Sequence, residues 1–437
     1  MKRLCGWMIA IMLLGGSSVA GAVPPIAQAQ LSNGARVLLM EAHNVPMVSL
    51  QLVLPAGSRF DPAGKGGTAS LMAAMLTDHT AKHDQLAFAD LLDADAIKLG
   101  AGVDREALHV SLTTLDEAFQ SGLDSLAEGL LQPGWDKKRF KIIKHDAIAA
   151  SQKALEEPRT RAAAAAAALL FAGHPYGHLS DGDVDSLKRI KLADLRRLYR
   201  QQVKPQEAVF AVSGDITMKA LLPLLEARFA GWQGKPKQRL GDIQPAAAVT
   251  GQRVDVALPT SQMMVQLLRL GPSRSDADFF PAYLLNHMLG GGGFGSRLME
   301  EVREKRGLTY GVYSYFQPMT VPGPFVITLQ TRADQADKAE QVVRDVLKEM
   351  YAGKISAKQL KASKENLMGS FAQKMDSNRE RVGLMAMIGL YHLPLDYLAQ
   401  WTHRVQQVRL AQVKAVAKRY LDPAAWNRVR VGPVQGQ

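Results

Sequence analysis

The stretch LADLRRLYRQQVKPQEAVFAVSG, residues 192–214, has a counterpart near the end of the chain, LAQVKAVAKRYLDPAAWNRVRVG, residues 410–432. Each stretch has a helical pattern followed by a proline and by a short apolar run, typical of a strand, that ends at a glycine. The two stretches are 218 residues apart. Helical periodicity alone could align the apolar positions, but it would not align a proline and a glycine as well. The pattern therefore indicates that one unit of the chain is duplicated.

Identical residues elsewhere in the chain follow the same offset. Four further pairs are separated by 218 positions, Thr113 with Thr331, Asp116 with Asp334, Arg161 with Arg379, and His174 with His392. Each copy combines strand patterns with long helical patterns over roughly 200 residues, which is the size of an ordinary domain. The sequence therefore predicts two tandem homologous domains of the α+β class.

Four segments divide the chain of 437 residues. Residues 1–22 have two positive charges, an apolar run and a small-residue cleavage signal, which predict a secretory signal peptide. Residues 23–232 form the first domain, the polar and aperiodic residues 233–252 a linker, and residues 253–437 the second domain. The alternative for the first segment is an uncleaved N-terminal anchor. We expect an exported chain of this kind in the bacterial periplasm.

Cysteine content and charge exclude several functions. The only cysteine, Cys5, lies in the predicted signal peptide, so the mature chain would have no disulfide, no cysteine nucleophile and no cysteine-based zinc site. The formal net charge is +12. The basic residues are scattered, whereas a nucleic-acid binder concentrates them and interleaves aromatic residues. We therefore expect a basic, solvated surface and no nucleic-acid partner.

Three long motifs occur in order along the chain, LSNGARVLLMEAHNVPMVSLQLVLPAGSRFDPAGKGGTASLMAAML (31–76), GHPYGHLSDGDVDSLKRIKLADLRRLYRQQVKPQEAVFAVSGDI (173–216) and NHMLGGGGFGSRLMEEVREKRGLTYGVYSYF (286–316). They resemble the motifs of the pitrilysin/insulinase-type zinc peptidases, and the resemblance covers nearly all of the mature chain. It implies that each domain is a mostly antiparallel sheet with helices packed on one face. It also implies that the two domains face each other as a clamshell.

Active members of that family hold zinc through an inverted motif, H-x-x-E-H, on a helix. Residues i and i+4 share a helix face, so two histidines can bind one metal ion while the glutamate polarises the bound water. In this chain the histidine positions are Ser70 and Ala74, the glutamate is Ala73, and the family's third ligand falls near Ala150. Neither serine nor alanine replaces imidazole. The resemblance therefore implies that this chain binds no zinc and lacks the general base.

A second group of family residues is kept in REKRGLTY, residues 303–310. The resemblance implies that Arg303 and Tyr310 contact the substrate carbonyl and the developing oxyanion in a site that holds zinc. A guanidinium and a phenol are both donors, and donors aimed at developing negative charge favour the tetrahedral state. The alternative is a surface arginine and a strand tyrosine without a catalytic role.

The glycine run Gly290, Gly291, Gly292 and Gly293 precedes this pair. The end of a helix requires one glycine, not four. Additional glycines allow a backbone to approach a ligand closely or a loop to move. A phosphate-binding loop is excluded because no G-K-[ST] follows. A peptide-contacting loop and a purely structural turn remain alternatives.

Other histidines are weaker candidates for chemistry. His79 and His83 have i,i+4 spacing beside Asp78 and Asp84, but no glutamate lies between them. A surface or loop pair is therefore favoured over a metal site. Structural roles in a turn or in the core are favoured for three further histidines, His174, His178 and His287.

Three functions are compatible with these patterns. The first is a non-catalytic subunit of a zinc peptidase built from two chains, in which a homologous partner holds the zinc and the substrates are peptides. The second is a periplasmic pseudo-peptidase that acts alone as a peptide-binding or chaperone-like protein. The third, an active peptidase whose zinc site has moved to residues 78–84, is disfavoured. The first is preferred over the second because the second gives no reason to keep Arg303 and Tyr310.

Overall fold

The computed structural model describes residues 23–433. The predicted signal peptide lies outside this range. Strands within the range form two sheets, and they are β1 (Ala27–Gln30), β2 (Arg36–Glu41), β3 (Met47–Leu54), β4 (Lys98–Val103), β5 (Leu108–Leu115), β6 (Val209–Gly214), β7 (Arg253–Ala257), β8 (Gln262–Leu270), β9 (Val312–Phe316), β10 (Pro324–Arg332) and β11 (Asn427–Gly432).

Helices fill most of the chain between these strands. In the first half they are α1 (Thr68–Leu76), α2 (Gln85–Ala94), α3 (Phe119–Leu131), α4 (Lys137–Ala154), α5 (Pro158–Leu170), α6 (Val184–Arg189), α7 (Leu192–Gln202) and α8 (Met218–Phe229). In the second half they are α9 (Phe279–Asn286), α10 (Ala336–Tyr351), α11 (Ala357–Gly369), α12 (Asn378–Leu390), α13 (Tyr397–Gln407) and α14 (Leu410–Tyr420).

The two sheets have the same topology. The first has the order β1-β2-β6-β3-β5-β4 and the second the order β7-β11-β8-β10-β9, so they differ by the additional strand β1. In both sheets one pair is parallel, β2 with β6 and β7 with β11, and the other neighbours are antiparallel. The predicted α+β class and the mostly antiparallel sheets are confirmed, and the matching orders are what a duplicated unit produces.

The strands that the sequence did not reveal all lie at sheet edges. They are β1, β4 and β7, each at one end of a sheet. An edge strand has one neighbour and more exposure, so it needs no continuous apolar run. The sequence of β4, KLGAGV, even contains two glycines and a lysine. Internal strands, by contrast, are marked by buried runs such as VLLM in β2 and VFAVSG in β6.

Each half gives one helix to the sheet of the other half. Helix α5 packs on β8, β11 and β7 of the second sheet, and α12 packs on β6, β3 and β2 of the first sheet. The expectation that helices cover one face of each sheet is therefore incomplete, because a helix from the opposite half covers the other face. Residues of α12 share a hydrophobic core with Val209 and Ala211 of β6. The two halves are consequently one packed body.

The sequences of these exchanged helices suit their positions. Helix α5 contains seven consecutive alanines, 162–168, and Ala162 and Ala167 are buried. Small side chains let a helix lie close to a sheet, and alanine is the best helix former. Helix α12 begins with a capping box in which Ser377 and Glu380 each bind the other's backbone N–H. Among the described helices, none is long and apolar enough to cross a membrane.

Candidate functional site

Helix α1, which carries the degenerate zinc-motif positions, begins without a capping side chain of its own. Gly67 precedes it in a left-handed conformation, with φ of +94°. Asp61 supplies the cap from the preceding loop, because its carboxylate accepts hydrogen bonds from the N–H groups of Gly67 (2.8 Å) and Ala69 (2.7 Å). Burial raises the pKa of Asp61 to about 7. The helix is thus held by a remote carboxyl group, which explains why its own first turn needs no acidic residue.

Two of the four degenerate positions meet in one cavity. Ser70 of α1 and Ala150 of α4 both line a cavity of about 590 Å³ that α5 also borders. The positions that correspond to the first histidine and to the third ligand of the family motif therefore lie in the same cavity. Ala73 is fully buried instead, and Ala74 is half-buried. Ala73 therefore does not line this cavity, and the packing around it leaves no room for a larger side chain.

The donor set of this cavity does not fit zinc. Its walls are mainly alanine, serine and leucine, and no histidine lines it. The one lining carboxylate, Asp181, accepts a hydrogen bond of 2.8 Å from the Ser70 hydroxyl. A protein zinc site needs at least three histidine, cysteine or carboxylate ligands. Within residues 23–433, no group of three or more histidine, cysteine, aspartate and glutamate side chains could hold a metal ion.

Arg303 and Tyr310 lie on the surface of the second half. Arg303 lies in the last turn of a short π-helix, Met299–Glu304, and its guanidinium lies 4.8 Å from the ring centre of Phe294. Tyr310 is 88% exposed. The residues on both sides of Tyr310 are held through the Thr309 hydroxyl, which donates a hydrogen bond to the carbonyl of Gln330 (2.7 Å) and accepts one from the N–H of Gly311 (3.1 Å). The phenol is therefore presented to solvent by an ordered loop.

One arginine borders both groups of candidate residues, the degenerate zinc-motif positions and Tyr310. Arg159, at the start of α5, lines the cavity that contains Ser70 and also a cavity of about 450 Å³ that contains Tyr310. Because α5 belongs to the first half but packs on the second sheet, Arg159 lies at the boundary between the two halves. Sequence reasoning did not identify Arg159 or Asp181, since nothing in their neighbouring residues distinguishes them from ordinary surface charges.

The glycine run divides into one packed residue and three at the surface. Gly290 is buried, and a Cβ there would lie 2.7 Å from the backbone nitrogen of Ser314 in β9. It therefore serves the packing of the loop on β9, which favours the structural alternative for this residue. Gly291, Gly292 and Gly293 are at least partly exposed, and Gly293 has a φ of +59°. Those three stay candidates for substrate contact.

His287 joins the glycine run to α11. It begins a π-helix, His287–Gly291, a conformation found often at functional sites. Its ring nitrogens lie 3.1 Å from the Ser363 hydroxyl and 3.0 Å from the Asn366 side-chain oxygen. Burial lowers the pKa of His287 below its ordinary value of 6.5. The structural role favoured by the sequence agrees with this hydrogen-bonded position.

The lowered pKa of His287 predicts a loss of stability in acid. A histidine whose pKa is lower in the folded state stabilises the protein above the unfolded-state pKa, and this stability is lost as the pH falls below about 6.5. We expect the free energy of unfolding, measured in urea at pH 7 and pH 5, to fall less for His287→Gln than for the wild type. His145→Gln is the control, since the His145 side chain is 82% exposed. Equal pH dependence of wild type and His287→Gln would contradict the prediction.

The other histidines also have local partners. His79 is buried, not on the surface, and accepts a hydrogen bond from the Asp136 N–H (2.9 Å), while His83 lies 2.7 Å from a Glu128 oxygen. The two rings thus bind different partners and do not converge. His174 and His178 contact the carbonyl oxygens of Gln244 and Leu179.

Family models match both halves of the chain. A model described as insulinase (peptidase family M16) matches residues 36–177, and a model described as peptidase M16 inactive domain matches residues 189–367.

Similar proteins cover almost the same length. The non-peptidase homolog YmxG of Helicobacter pylori is 24% identical over 392 residues, which are 88% of this chain and 89% of the relative. An uncharacterized zinc protease YmxG of Bacillus subtilis is 23% identical over 389 residues, 88% of this chain and 93% of the relative. A crystal structure of a peptidase M16 inactive domain from Pseudomonas fluorescens is 33% identical, with a TM-score of 0.89, and the match covers 94% of this chain and 98% of that one.

Proposed function

Because this chain belongs to peptidase family M16, the insulinase family, and is similar to non-peptidase and inactive members of it, we propose that it is the non-catalytic subunit of a two-chain zinc peptidase. The partner is a homologous chain of similar size with an intact H-x-x-E-H motif, and it holds the zinc and the general base. The substrates are peptides. The complex works in the periplasm, to which the N-terminal signal peptide directs this chain.

The proposal rests on the contrast between the degenerate zinc-motif positions and the exposed Tyr310. The cavity with Ser70 and Ala150 has no donor set for zinc, whereas Tyr310 is 88% exposed on a loop that hydrogen bonds hold in place. A large aromatic side chain that is this exposed contributes little to the stability of the fold, because it buries little apolar surface. Its exposure makes the phenol available to a substrate that lies on another chain.

Arg303 and Tyr310 suit a supporting role in catalysis. Both side chains can donate hydrogen bonds to an oxygen on which negative charge develops, and neither needs to move a proton to do so. Arg303 is half-buried and lies against Phe294, which restricts the guanidinium. A preorganised donor is worth more than a mobile one because it loses less freedom when it binds. In the complex, zinc on the partner would supply the activated water.

A stand-alone peptide-binding protein is the second candidate. The observation that favours it is Arg159, which lines both the Ser70 cavity and the Tyr310 cavity within one chain. A peptide with an acidic residue or a free carboxylate could therefore contact both halves without a partner. This candidate gives no reason to keep Arg303, and it is ranked second for that reason.

Copurification separates the two candidates. The partner is sought as the product of a neighbouring gene that encodes the full zinc motif, and both chains are expressed together with a tag on this chain only. We expect the partner to copurify in a 1:1 ratio and to contain one zinc, and this chain purified alone to contain less than about 0.1 zinc, as expected of a site without the needed ligands. Stoichiometric zinc and peptide cleavage by this chain alone would contradict the proposal.

A further inference from the structure

A third cavity lies at the boundary between the two halves and shares no lining residue with the Ser70 or Tyr310 cavities. Its volume is about 540 Å³, within the range of small-molecule sites. The first half and the linker contribute Glu207 and Arg239, and the second half contributes Arg274, Thr320 and Tyr391. The cavity therefore exists only because the halves pack together.

The linker wall of this cavity is firmly held. The guanidinium of Arg59, which is 7% exposed, donates to the carbonyl oxygens of Leu240 (2.7 Å) and Arg239 (3.0 Å). Arg239 in turn donates from Nε to Glu207 (2.6 Å). A segment predicted from composition as a simple linker thus has a fixed structure where it borders the cavity.

Two donors in the opposite wall have no partner. Across the described range, four buried side-chain polar atoms lack a hydrogen bond, and two of them, Arg274 Nε and Thr320 Oγ1, belong to residues that line this cavity. The neighbouring polar groups are already engaged, since the Thr320 N–H (3.1 Å) and the Tyr391 hydroxyl (2.6 Å) both donate to Glu106. A buried polar group without a partner is unfavourable because it has lost its hydrogen bonds to water, so a wall that contains two is destabilising without a ligand.

The Arg274 head group is positioned as a recognition group. Its guanidinium carbon lies 5.3 Å from the ring centre of Phe279 and 5.4 Å from that of Tyr391. No described carboxylate lies within 4 Å of it, whereas Arg239 is paired with Glu207. An arginine that rests between aromatic rings and lacks a carboxylate partner has its charge available for an anion.

Backbone conformation also distinguishes this cavity. Among the described residues, four that are not glycine have a positive φ, and two of them, Glu207 (+73°) and His392 (+52°), line it. Such conformations are strained for residues other than glycine and cluster at ligand sites. The same cavity therefore combines backbone strain with unpaired donors.

We propose that this cavity binds a small monocarboxylate with an apolar body. Arg274 Nε and Thr320 Oγ1, which are buried in the wall without a ligand, donate to the carboxylate once their side chains turn toward the cavity. Leu240, Leu390 and Tyr391 contact the rest of the ligand. Arg239 is paired with Glu207, so Arg274 is the one arginine lining this cavity that has no carboxylate partner among the described residues. A ligand with one negative charge therefore fits better than a doubly charged phosphate. This inference does not depend on the proposed subunit function.

Calorimetry with benzoate as the probe tests the proposal on the full mature chain. At constant ionic strength we expect saturable 1:1 binding of benzoate and at least tenfold weaker binding of inorganic phosphate and of benzyl alcohol, the neutral analogue. Absence of saturable benzoate binding, or equal binding of phosphate, overturns the proposal.

Two substitutions then locate the site. Thr320→Val keeps the shape of the side chain but removes the donor, and Arg274→Lys keeps the charge but removes Nε; each should weaken benzoate binding about tenfold. Thr320→Ser, which keeps the hydroxyl, should bind like the wild type. Because Thr320→Val removes an unpaired polar group, its melting temperature without benzoate should equal or exceed that of the wild type. Benzoate affinity unchanged in both Thr320→Val and Arg274→Lys overturns the assignment.

Discussion

Arg303→Ala and Tyr310→Phe should each lower the turnover number of the complex with the zinc-bearing partner by roughly 100- to 1,000-fold, the range seen when one oxyanion donor is removed. Both side chains lie at the surface, Tyr310 at 88% exposure, so neither change removes core packing. The Michaelis constant should change much less, since the donors act mainly on the transition state. The measurement is steady-state hydrolysis of a fluorogenic peptide by the purified complex.

A neighbouring arginine provides the control for this prediction. Arg306 lies three residues further along and pairs with Glu301 on the surface (2.7 Å). Such a pair contributes little to stability, so Arg306→Ala should leave turnover unchanged. Size-exclusion chromatography must show that all variants still form the complex. Normal turnover in both Arg303→Ala and Tyr310→Phe would remove their proposed role, whatever the control does.

Gly389→Ala should destabilise the protein by about 1–3 kcal/mol, because α12 lies against the first sheet at this residue. A Cβ at Gly389 would lie 2.5 Å from Cγ1 and 3.0 Å from Cγ2 of Val209, which is fully buried in β6. Valine is stiff, so the helix and the sheet must separate to accommodate the methyl group. The measurement is urea unfolding of the purified chain at neutral pH.

The same helix offers a matched control. Gly383 is exposed, and a Cβ there would meet only the Gln51 side-chain oxygen, at 4.0 Å. Gly383→Ala should therefore stabilise the protein by about 0.5–1 kcal/mol through helix propensity alone. If the two variants had equal stabilities, α12 would not be packed on the first sheet, and the exchange of helices between the halves would be wrong.

The fold was predictable from the sequence wherever buried residues form a repeated or continuous apolar pattern. The offset of 218 residues predicted a duplicated unit, and the apolar runs of β2 and β6 marked internal strands. Periodicity describes which face of a helix is apolar, but not which sheet that face meets. Helix α5 has alanine on almost every side, so nothing in it indicates that it crosses to the second sheet.

The candidate site was predictable only in part. The family motifs indicated Ser70 and Ala150 as positions of one site, and both residues line the same cavity. They did not show that Ala73 and Gly290 are buried, because burial depends on neighbours from distant segments. Arg159 and Asp181 reach the cavity through tertiary packing, and the arginine does so through the exchange of α5, which the sequence does not reveal.

The most direct test of the subunit proposal is the turnover of a fluorogenic peptide by three samples: this chain alone, the zinc-bearing partner alone, and an equimolar mixture. We expect no cleavage by this chain and weak cleavage by the partner. Turnover in the mixture should be at least tenfold higher than that of the partner alone and should saturate at a 1:1 ratio of the two chains. A mixture no more active than the partner alone would contradict the proposal.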